Sequence, residues 1–276
     1  MPLKPYMCSN CGFWQRYFAA PPFCPVCSDV RNALPEDGWH FKQPGELAAE
    51  TTCSWEQVTP EVVMFSNTPR LGIGSSGYLI LHPEGNIAFE AAGWYSQAAL
   101  DEIARLGGIH YLSCSHPHGM GALYQLQDCF QPRYCVIHRD GVRFTKAFRV
   151  NYPFDDSLEL HEGITLHHVA GHYEGHSVLH HHRAGLLFAG DSLKFDLDEH
   201  GKAYAVSCHK AFHNQIPLSH AEVRRYKDVI GKLNFTHVFT PFEHVPNVTP
   251  QHALCLFEKH LQGVPFVHPI ALDTCA

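Results

Sequence analysis

The chain has 276 residues, of which 45% are hydrophobic and 17% charged, and its formal net charge is −7 with neutral histidine. These values predict a packed globular protein and exclude a disordered one. Lysine and arginine form no block that would attract a phosphate backbone, so we expect no nucleic-acid partner. No run of 18 apolar residues is present, and the first residues lack the apolar core of a signal peptide. We therefore expect a cytoplasmic protein without membrane contact.

Four of the 11 cysteines form two C-x-x-C pairs separated by twelve residues. They are Cys8, Cys11, Cys24 and Cys27. Two such turns bring four thiolates together, which gives a tetrahedral sulfur site. The alternative is two disulfides in a secreted module, which the missing signal peptide and the odd set of seven other cysteines disfavour. The spacing predicts a metal-binding knuckle over residues 8–27 that folds around its metal.

The residues around these cysteines resemble the tails of rubredoxin and rubrerythrin, and the knuckle is similar to a zinc ribbon. The matching segments are Tyr6–Gly12, Phe23–Cys27 and Leu34–Trp39. The resemblance implies structural zinc or redox-active iron in the four-cysteine site, with zinc as the plainer choice. We expect a small domain over residues 1–50 and a larger one over residues 51–276. Residues 28–57 are interpreted as a connector with Gly38-Trp39 as its packing anchor.

Hydrophobic patterning predicts alternating strands and helices after the connector. One helix begins at Gln97 and ends before Gly107, which is a helix-end signal. Another follows Ser219, where Glu222 stands in the capping-box position. The predicted strands cover residues 61–65, 77–82, 87–90, 109–114, 134–138, 164–169, 178–182, 186–189 and 235–240. The predicted helices cover residues 97–106, 121–129 and 220–233.

Two histidines, His116 and His118, follow the predicted strand at residues 109–114. Histidines separated by one residue at a strand end can point to the same side and present two neutral nitrogen ligands to one metal ion. His172 then lies in a glycine-flanked loop, and Asp191 follows another apolar strand. These motifs, in this order, resemble the metallo-β-lactamase superfamily over residues 58–250. The resemblance implies an α/β fold, the αβ/βα four-layer sandwich of two β-sheets flanked by helices.

The first motif of that superfamily usually reads H-x-H-x-D-H, and its last two ligands hold a second metal ion. Met120 and Gly121 stand in their places here, so the resemblance implies one metal ion. Its ligands would be His116, His118, His172 and Asp191. Three imidazoles and one carboxylate suit zinc or ferrous iron. The superfamily's final histidine corresponds either to Glu243 or, after a one-residue slip, to His244.

The resemblance implies a metal-dependent hydrolase that cuts an ester, thioester, lactone or phosphodiester bond of a small molecule with metal-bound hydroxide. Its candidate catalytic residues are Asp191, Glu243 and His244. One alternative is a mononuclear iron redox enzyme of oxygen or sulfur chemistry, with an electron-transfer iron in the four-cysteine knuckle. A second alternative is a non-catalytic binding protein. The sequence predicts no oligomeric state.

Several other histidines and cysteines receive no ligand assignment. We interpret His176, four residues after His172, as a structural or supporting group. The three histidines at residues 180–182 are interpreted as a solvated hairpin edge. Residues 207–209, Ser-Cys-His, lie in the insertion after Asp191, where they are either an exposed loop or a further metal site.

Overall fold

The structure is a computed structural model that describes residues 2–275. By its internal contacts the chain divides after Phe154 into two compact units, which are described separately. Both units combine β-sheets with short helices, which confirms the α/β class expected from the sequence. Among the described residues, no helix has both the length and the apolar character needed to cross a membrane.

The first unit contains a small sheet in the cysteine-rich segment and a seven-stranded sheet. The small sheet has the order β2-β1-β3 and consists of β1 (Lys4–Cys8), β2 (Trp14–Tyr17) and β3 (Phe41–Lys42). The large sheet consists of β4 (Thr52–Thr59), β5 (Val62–Thr68), β6 (Gly77–Ile80), β7 (Ile87–Phe89), β8 (Tyr111–Ser113), β9 (Tyr134–His138) and β10 (Tyr152–Phe154). Its order is β10-β9-β8-β7-β6-β5-β4, antiparallel from β4 to β7 and parallel from β7 to β10.

The core of the first unit lies along the central strands of the large sheet. Strands β6 and β7 are buried at every residue, as expected for short apolar strands covered on both faces. The helices of this unit are α1 (Pro44–Glu50), α2 (Gln97–Arg105) and α3 (Leu123–Phe130). Helix α2 begins after Ser96, whose hydroxyl accepts a hydrogen bond from the Ala99 amide. It ends before Gly107, whose φ of 105° favours glycine, so this predicted helix is confirmed.

Residues 28–57 contain regular structure, and their interpretation as a connector is wrong. They include β3, α1 and most of β4. Strand β4 lies at the edge of the large sheet and most of its side chains are exposed, so it carries no apolar signal. Trp39 is of intermediate burial, and its role as a packing anchor stays a prediction.

The second unit contains a six-stranded sheet, a three-stranded sheet and two helices. The six-stranded sheet has the order β11-β12-β13-β14-β17-β18 and the small sheet the order β15-β16-β19. The strands are β11 (Ser157–His161), β12 (Ile164–His168), β13 (Ser177–His181), β14 (Leu186–Phe188), β15 (Lys194–Leu197), β16 (Ala203–Ser207), β17 (His237–Phe239), β18 (His244–Pro246) and β19 (Ile270–Ala271). Helices α4 (His220–Val229) and α5 (Pro250–Gln262) pack against each other.

Helix α4 has the predicted capping box, in which Ser219 Oγ accepts from the Glu222 amide and the Glu222 carboxylate accepts from the Ser219 amide. Its apolar face joins one continuous core with α5 and the central strands. The sequence did not predict helix α5 or the three-stranded sheet β15-β16-β19. A disulfide between Cys255 and Cys275 joins α5 to the C-terminal turn.

The histidines of β13 are not at a solvated edge, contrary to the sequence-based interpretation. Strand β13 lies between β12 and β14 in the interior of its sheet. His180 and His181 are therefore buried, while His182 beyond the strand is exposed. His180 Nε2 donates to the Asn234 carbonyl at 2.8 Å, which provides the hydrogen bond that a buried imidazole needs.

Candidate metal sites

Cys8, Cys11, Cys24 and Cys27 form a buried cluster within the first unit. The Sγ atoms of Cys8 and Cys27 lie 3.8 Å apart, and those of Cys11 and Cys24 lie 3.7 Å apart. A disulfide would need about 2.05 Å. A tetrahedron with metal–sulfur bonds of about 2.3 Å has edges of about 3.8 Å. The four thiols therefore fit a tetrahedral metal, and the predicted four-cysteine cluster is confirmed.

Hydrogen bonds within the cluster and burial shift the pKa values of its four thiols in different directions. Hydrogen bonds from neighbouring thiols lower the pKa of Cys8 and Cys27. Hydrogen bonds with other thiols of the cluster, together with burial, raise the pKa of Cys11 and Cys24. The Asn10 side-chain amide also donates to Cys27 Sγ at 3.3 Å. The thiolate, which is the form of cysteine that binds metal, is therefore favoured at Cys8 and Cys27.

The knuckle is attached to the rest of the first unit by the buried Trp14 of β2. Its indole nitrogen donates to the Gly93 carbonyl at 2.9 Å, and its ring centroid lies 4.8 Å from that of Tyr124. The backbones of Gly12 and Gly72 touch so closely that a Cβ on Gly72 would lie 2.1 Å from the Gly12 nitrogen. The knuckle thus packs against α3 and the loops that connect the strands of the large sheet.

His116 and His118 follow β8 and are both buried. The Ser115 hydroxyl donates to the Glu90 carboxylate and lies 2.7 Å from His116 Nδ1. Because the hydroxyl proton is directed to Glu90, His116 Nδ1 donates to Ser115, and Nε2 keeps the lone pair that a metal needs. Burial, with a smaller effect of the Arg31 charge, lowers the pKa of His116 to about 3. Its imidazole is therefore neutral at pH 7.

Gly119 and Gly121, which follow His118, are in close contact with neighbouring residues and leave no space for a side chain. A Cβ on Gly119 would lie 1.6 Å from Glu90 Oε2, and one on Gly121 would lie 2.3 Å from the Ala91 carbonyl oxygen. Gly121 also has a φ of 37°. Met120 is buried and offers no ligand for a hard divalent ion. A histidine at position 121 would therefore require the backbone to move.

The second unit contains the other predicted ligand pair. His172 lies in the loop between β12 and β13, and Asp191 follows β14. Their Nε2 and Oδ2 atoms lie 3.5 Å apart, and both side chains are buried. His172 Nδ1 donates to the His209 carbonyl at 3.3 Å, so Nε2 again keeps the lone pair. Each predicted pair thus comes together within its own unit.

Glu243 and His244 occupy different surroundings in the second unit. The Glu243 carboxyl group accepts hydrogen bonds from the Thr240 side chain and the Phe195 amide. Burial and the nearby Asp191 charge raise its pKa to about 7. His244 Nε2 lies 2.9 Å from His237 Nδ1. Glu243 thus interacts with Asp191, whereas His244 is hydrogen-bonded to His237 of β17.

No family model matches the chain. The chain is 25% identical over 250 residues to the uncharacterized protein YmaE of Bacillus subtilis strain 168. The match covers 87% of this chain and 89% of YmaE. It is also similar to two solved metallo-β-lactamases, FIM-1 of Pseudomonas aeruginosa and an enzyme of Hirschia baltica. Their TM-scores are 0.54 and 0.53, each with 12% identity and 97% coverage of the solved chain, and they cover 76% and 74% of this chain. The chain has the metallo-β-lactamase fold.

Within the metallo-β-lactamase fold, the sequence missed the residues that orient the predicted ligands. Glu90 was visible only as an acidic residue closing an apolar strand, and nothing local pairs it with Ser115. His176 is fully buried beside His172, with ring centroids 5.9 Å apart, and its role as a structural or supporting group stays a prediction. Residues 207–209 are buried, so their interpretation as an exposed loop is wrong.

Proposed function

We propose that the chain is a metal-dependent hydrolase of small molecules with one metal ion at the predicted histidine–aspartate site. The ligands would be His116, His118, His172 and Asp191, a donor set of the kind that holds a divalent ion. The observation that carries the proposal is the orientation of His116 and His172. In both, Nδ1 donates to a fixed partner, which places the ring's lone pair on Nε2, the atom that would bind a metal. Such partners orient metal-binding histidines in known sites.

A single ion is proposed because the second site of the fold has lost its ligands. Met120 and Gly121 replace them, and the backbone contact of Gly121 with Ala91 leaves no room for a larger side chain. The metallo-β-lactamase FIM-1 has been solved in a mono-zinc form, so one zinc ion is compatible with this fold. We propose zinc at this site.

The proposed reaction is hydrolysis of an ester, thioester, lactone or phosphodiester. When bound, the ion supplies Lewis-acid chemistry. Glu243 is proposed to take the proton of the attacking water, because its carboxyl group interacts with Asp191 and His244 is held by His237. Asp191 would hold the ion. Water adds to the acyl carbon or phosphorus, the bond to the leaving group breaks, and the proton passes to that group.

The first test is elemental analysis of the purified protein together with its visible spectrum. About two zinc ions per chain and no colour are expected, one ion at each site. Substitution of His116, His118 and His172 by alanine should remove one equivalent and leave the knuckle metal bound. Retention of both equivalents would contradict the ligand assignment.

The second test is turnover of a panel of esters, thioesters, lactones and phosphodiesters. Asp191→Ala should lower turnover by orders of magnitude. Asp228→Ala is the matched control, because Asp228 lies on the exposed face of α4 with 72% of its side chain accessible. Wild-type protein without activity on any member of the panel would reject the hydrolase proposal.

A redox enzyme is the second candidate, and the hydrogen bond from Asn10 to Cys27 Sγ favours it. Hydrogen bonds to cysteine sulfur tune the reduction potential of iron–sulfur sites. On this alternative, iron would occupy the knuckle and the histidine–aspartate site. The protein as isolated would then be coloured and would bleach on reduction, whereas the zinc proposal requires a colourless protein.

A further inference from the structure

The loop that carries His172 has an unusual backbone. Ala170 has a φ of 55° and Gly171 a φ of 77°. The left-handed conformation is strained for a residue with a Cβ, so Ala170 persists there only when its surroundings hold it. Such strain is often found at functional sites. The contacts that hold this loop therefore point to residues that serve the candidate site.

Tyr226 of α4 holds the loop through its hydroxyl group. The hydroxyl accepts a hydrogen bond from the His172 amide at 3.1 Å and donates to the Ala170 carbonyl at 3.3 Å. Tyr226 is fully buried. A Cβ on Gly171 would lie 2.5 Å from this hydroxyl, so ring and backbone are in direct contact. One side chain thus fixes both peptide groups that flank Gly171.

Lys210 holds the same loop from a second direction. Its ammonium group donates to the Gly171 carbonyl at 2.8 Å and to Glu222 Oε1 at 2.6 Å. Glu222 is itself fixed in the capping box of α4 by Ser219. The loop is therefore tied to the first turn of α4, and the position of the Lys210 charge is set by the helix.

We propose that Tyr226 and Lys210 are positioning residues that hold His172 in its metal-binding orientation. They fix its backbone, while the His209 carbonyl fixes its ring through Nδ1. This inference rests on the proposed function, because it assumes that His172 binds a metal ion. It assigns to a tyrosine and a lysine outside the ligand set a control over metal affinity.

The test compares the zinc affinity of full-length variants by competition with a chelator. Tyr226→Phe keeps the ring and removes only the hydroxyl, and Lys210→Met removes the ammonium group with its two hydrogen bonds. Both should bind the second zinc equivalent about 10- to 100-fold more weakly than wild type and retain the knuckle equivalent. Tyr204→Phe and Lys202→Met alter exposed residues of the same unit and should leave both equivalents unchanged.

Metal affinity separates positioning from a merely structural role. A lowered melting temperature with second-equivalent affinity within about twofold of wild type would overturn the proposal. If Tyr226→Phe does not fold, the zinc affinity of Lys210→Met alone tests the proposal. The Lys210 side chain is partly exposed, so its substitution should be tolerated by the fold. Wild-type protein that binds only the knuckle equivalent would overturn the proposed function and this inference together. An intact second equivalent in wild type with unaffected variants would overturn this inference alone.

Discussion

At the scale of single residues, His116 and His172 reach the same tautomer through different partners. His116 uses the hydroxyl of Ser115, which is held by the buried carboxylate of Glu90. His172 uses a backbone carbonyl, that of His209. Because the serine can be changed without altering the backbone, the first arrangement can be tested by a single substitution.

Removal of the Ser115 hydroxyl should weaken metal binding at the histidine–aspartate site. Ser115→Ala leaves His116 Nδ1 without its acceptor, and we expect a loss of about tenfold in zinc affinity, or about 1.4 kcal/mol. Competition with a chelator measures it. Ser113→Ala is the matched control, since Ser113 is also buried but its hydroxyl makes no hydrogen bond among the described residues. An equal loss of zinc affinity in Ser115→Ala and Ser113→Ala would show that the Ser115 hydroxyl does not orient His116.

At the scale of elements, the loop after β8 is shaped by its contact with the end of β7. The Ala91 amide donates to the Gly119 carbonyl, and the Ala122 amide to the Ala92 carbonyl, at 2.9 Å each. Gly121 lies between these two hydrogen bonds. This backbone pairing, together with the positive φ, leaves no room for a larger side chain at position 121.

Replacement of Gly121 by a residue with a side chain should lower the free energy of unfolding. Gly121→Ala is expected to cost about 2–3 kcal/mol, because φ is positive and the new Cβ meets the Ala91 carbonyl at 2.3 Å. Chemical denaturation measures the difference. Gly45→Ala in α1 meets nothing within 4 Å and should be neutral or stabilise by about 0.5–1 kcal/mol.

The double substitution Met120→Asp with Gly121→His extends this test to the metal. It restores the ligand types of the second site, yet we expect no third metal equivalent, because the backbone at Gly121 cannot accommodate the imidazole. Elemental analysis checks this. A stably folded double variant with one additional zinc ion would show that the backbone yields more easily than its contacts indicate.

At the scale of the whole molecule, histidines that are buried or partly buried make stability depend on pH. Burial is the main cause that lowers the pKa of His209 and His244 to about 4. In the unfolded chain both titrate near 6.5. Between pH 6.5 and 4 the unfolded state therefore binds more protons, and the free energy of unfolding falls as the pH falls.

This dependence can be measured by urea denaturation at pH 7.5, 6.5 and 5.5. Wild-type protein should lose stability at each step. His244→Phe should lose about 1 kcal/mol less between pH 7.5 and 5.5, because phenylalanine does not titrate and still stacks on Phe239, whose ring lies 4.3 Å from that of His244. Identical pH profiles for the two proteins would be evidence against this role of His244.

Removal of the knuckle metal should loosen the segment around Trp14. A chelator under reducing conditions leaves four thiols without their ion, and a knuckle of this size is held mainly by its metal. Trp14 should then lose its contacts with Gly93 and Tyr124, which shifts the tryptophan emission to longer wavelength. Trp14→Phe should show a smaller shift on the same treatment.

The sequence predicts features that depend on neighbouring positions better than those that depend on distant ones. The two C-x-x-C pairs, the H-x-H motif and the Ser219–Glu222 capping box are local patterns, and each is present. Glu90 and Ser115 are 25 residues apart, and Tyr226 and His172 are 54 apart, so no local pattern links them. The edge strand β4 escaped detection because its exposed side chains carry no apolar alternation.

The interface at Trp14 has a consequence for how the chain can be shortened or recombined. Residues 2–50 include Trp14, which covers Tyr124 of α3 and the backbone of Gly93 between β7 and α2. A fragment starting near residue 51 would expose that surface to solvent and leave the Gly93 carbonyl without its indole donor. We expect such a fragment to aggregate on expression. The knuckle is therefore not an independent module that can be deleted, although its cysteine pattern is typical of one.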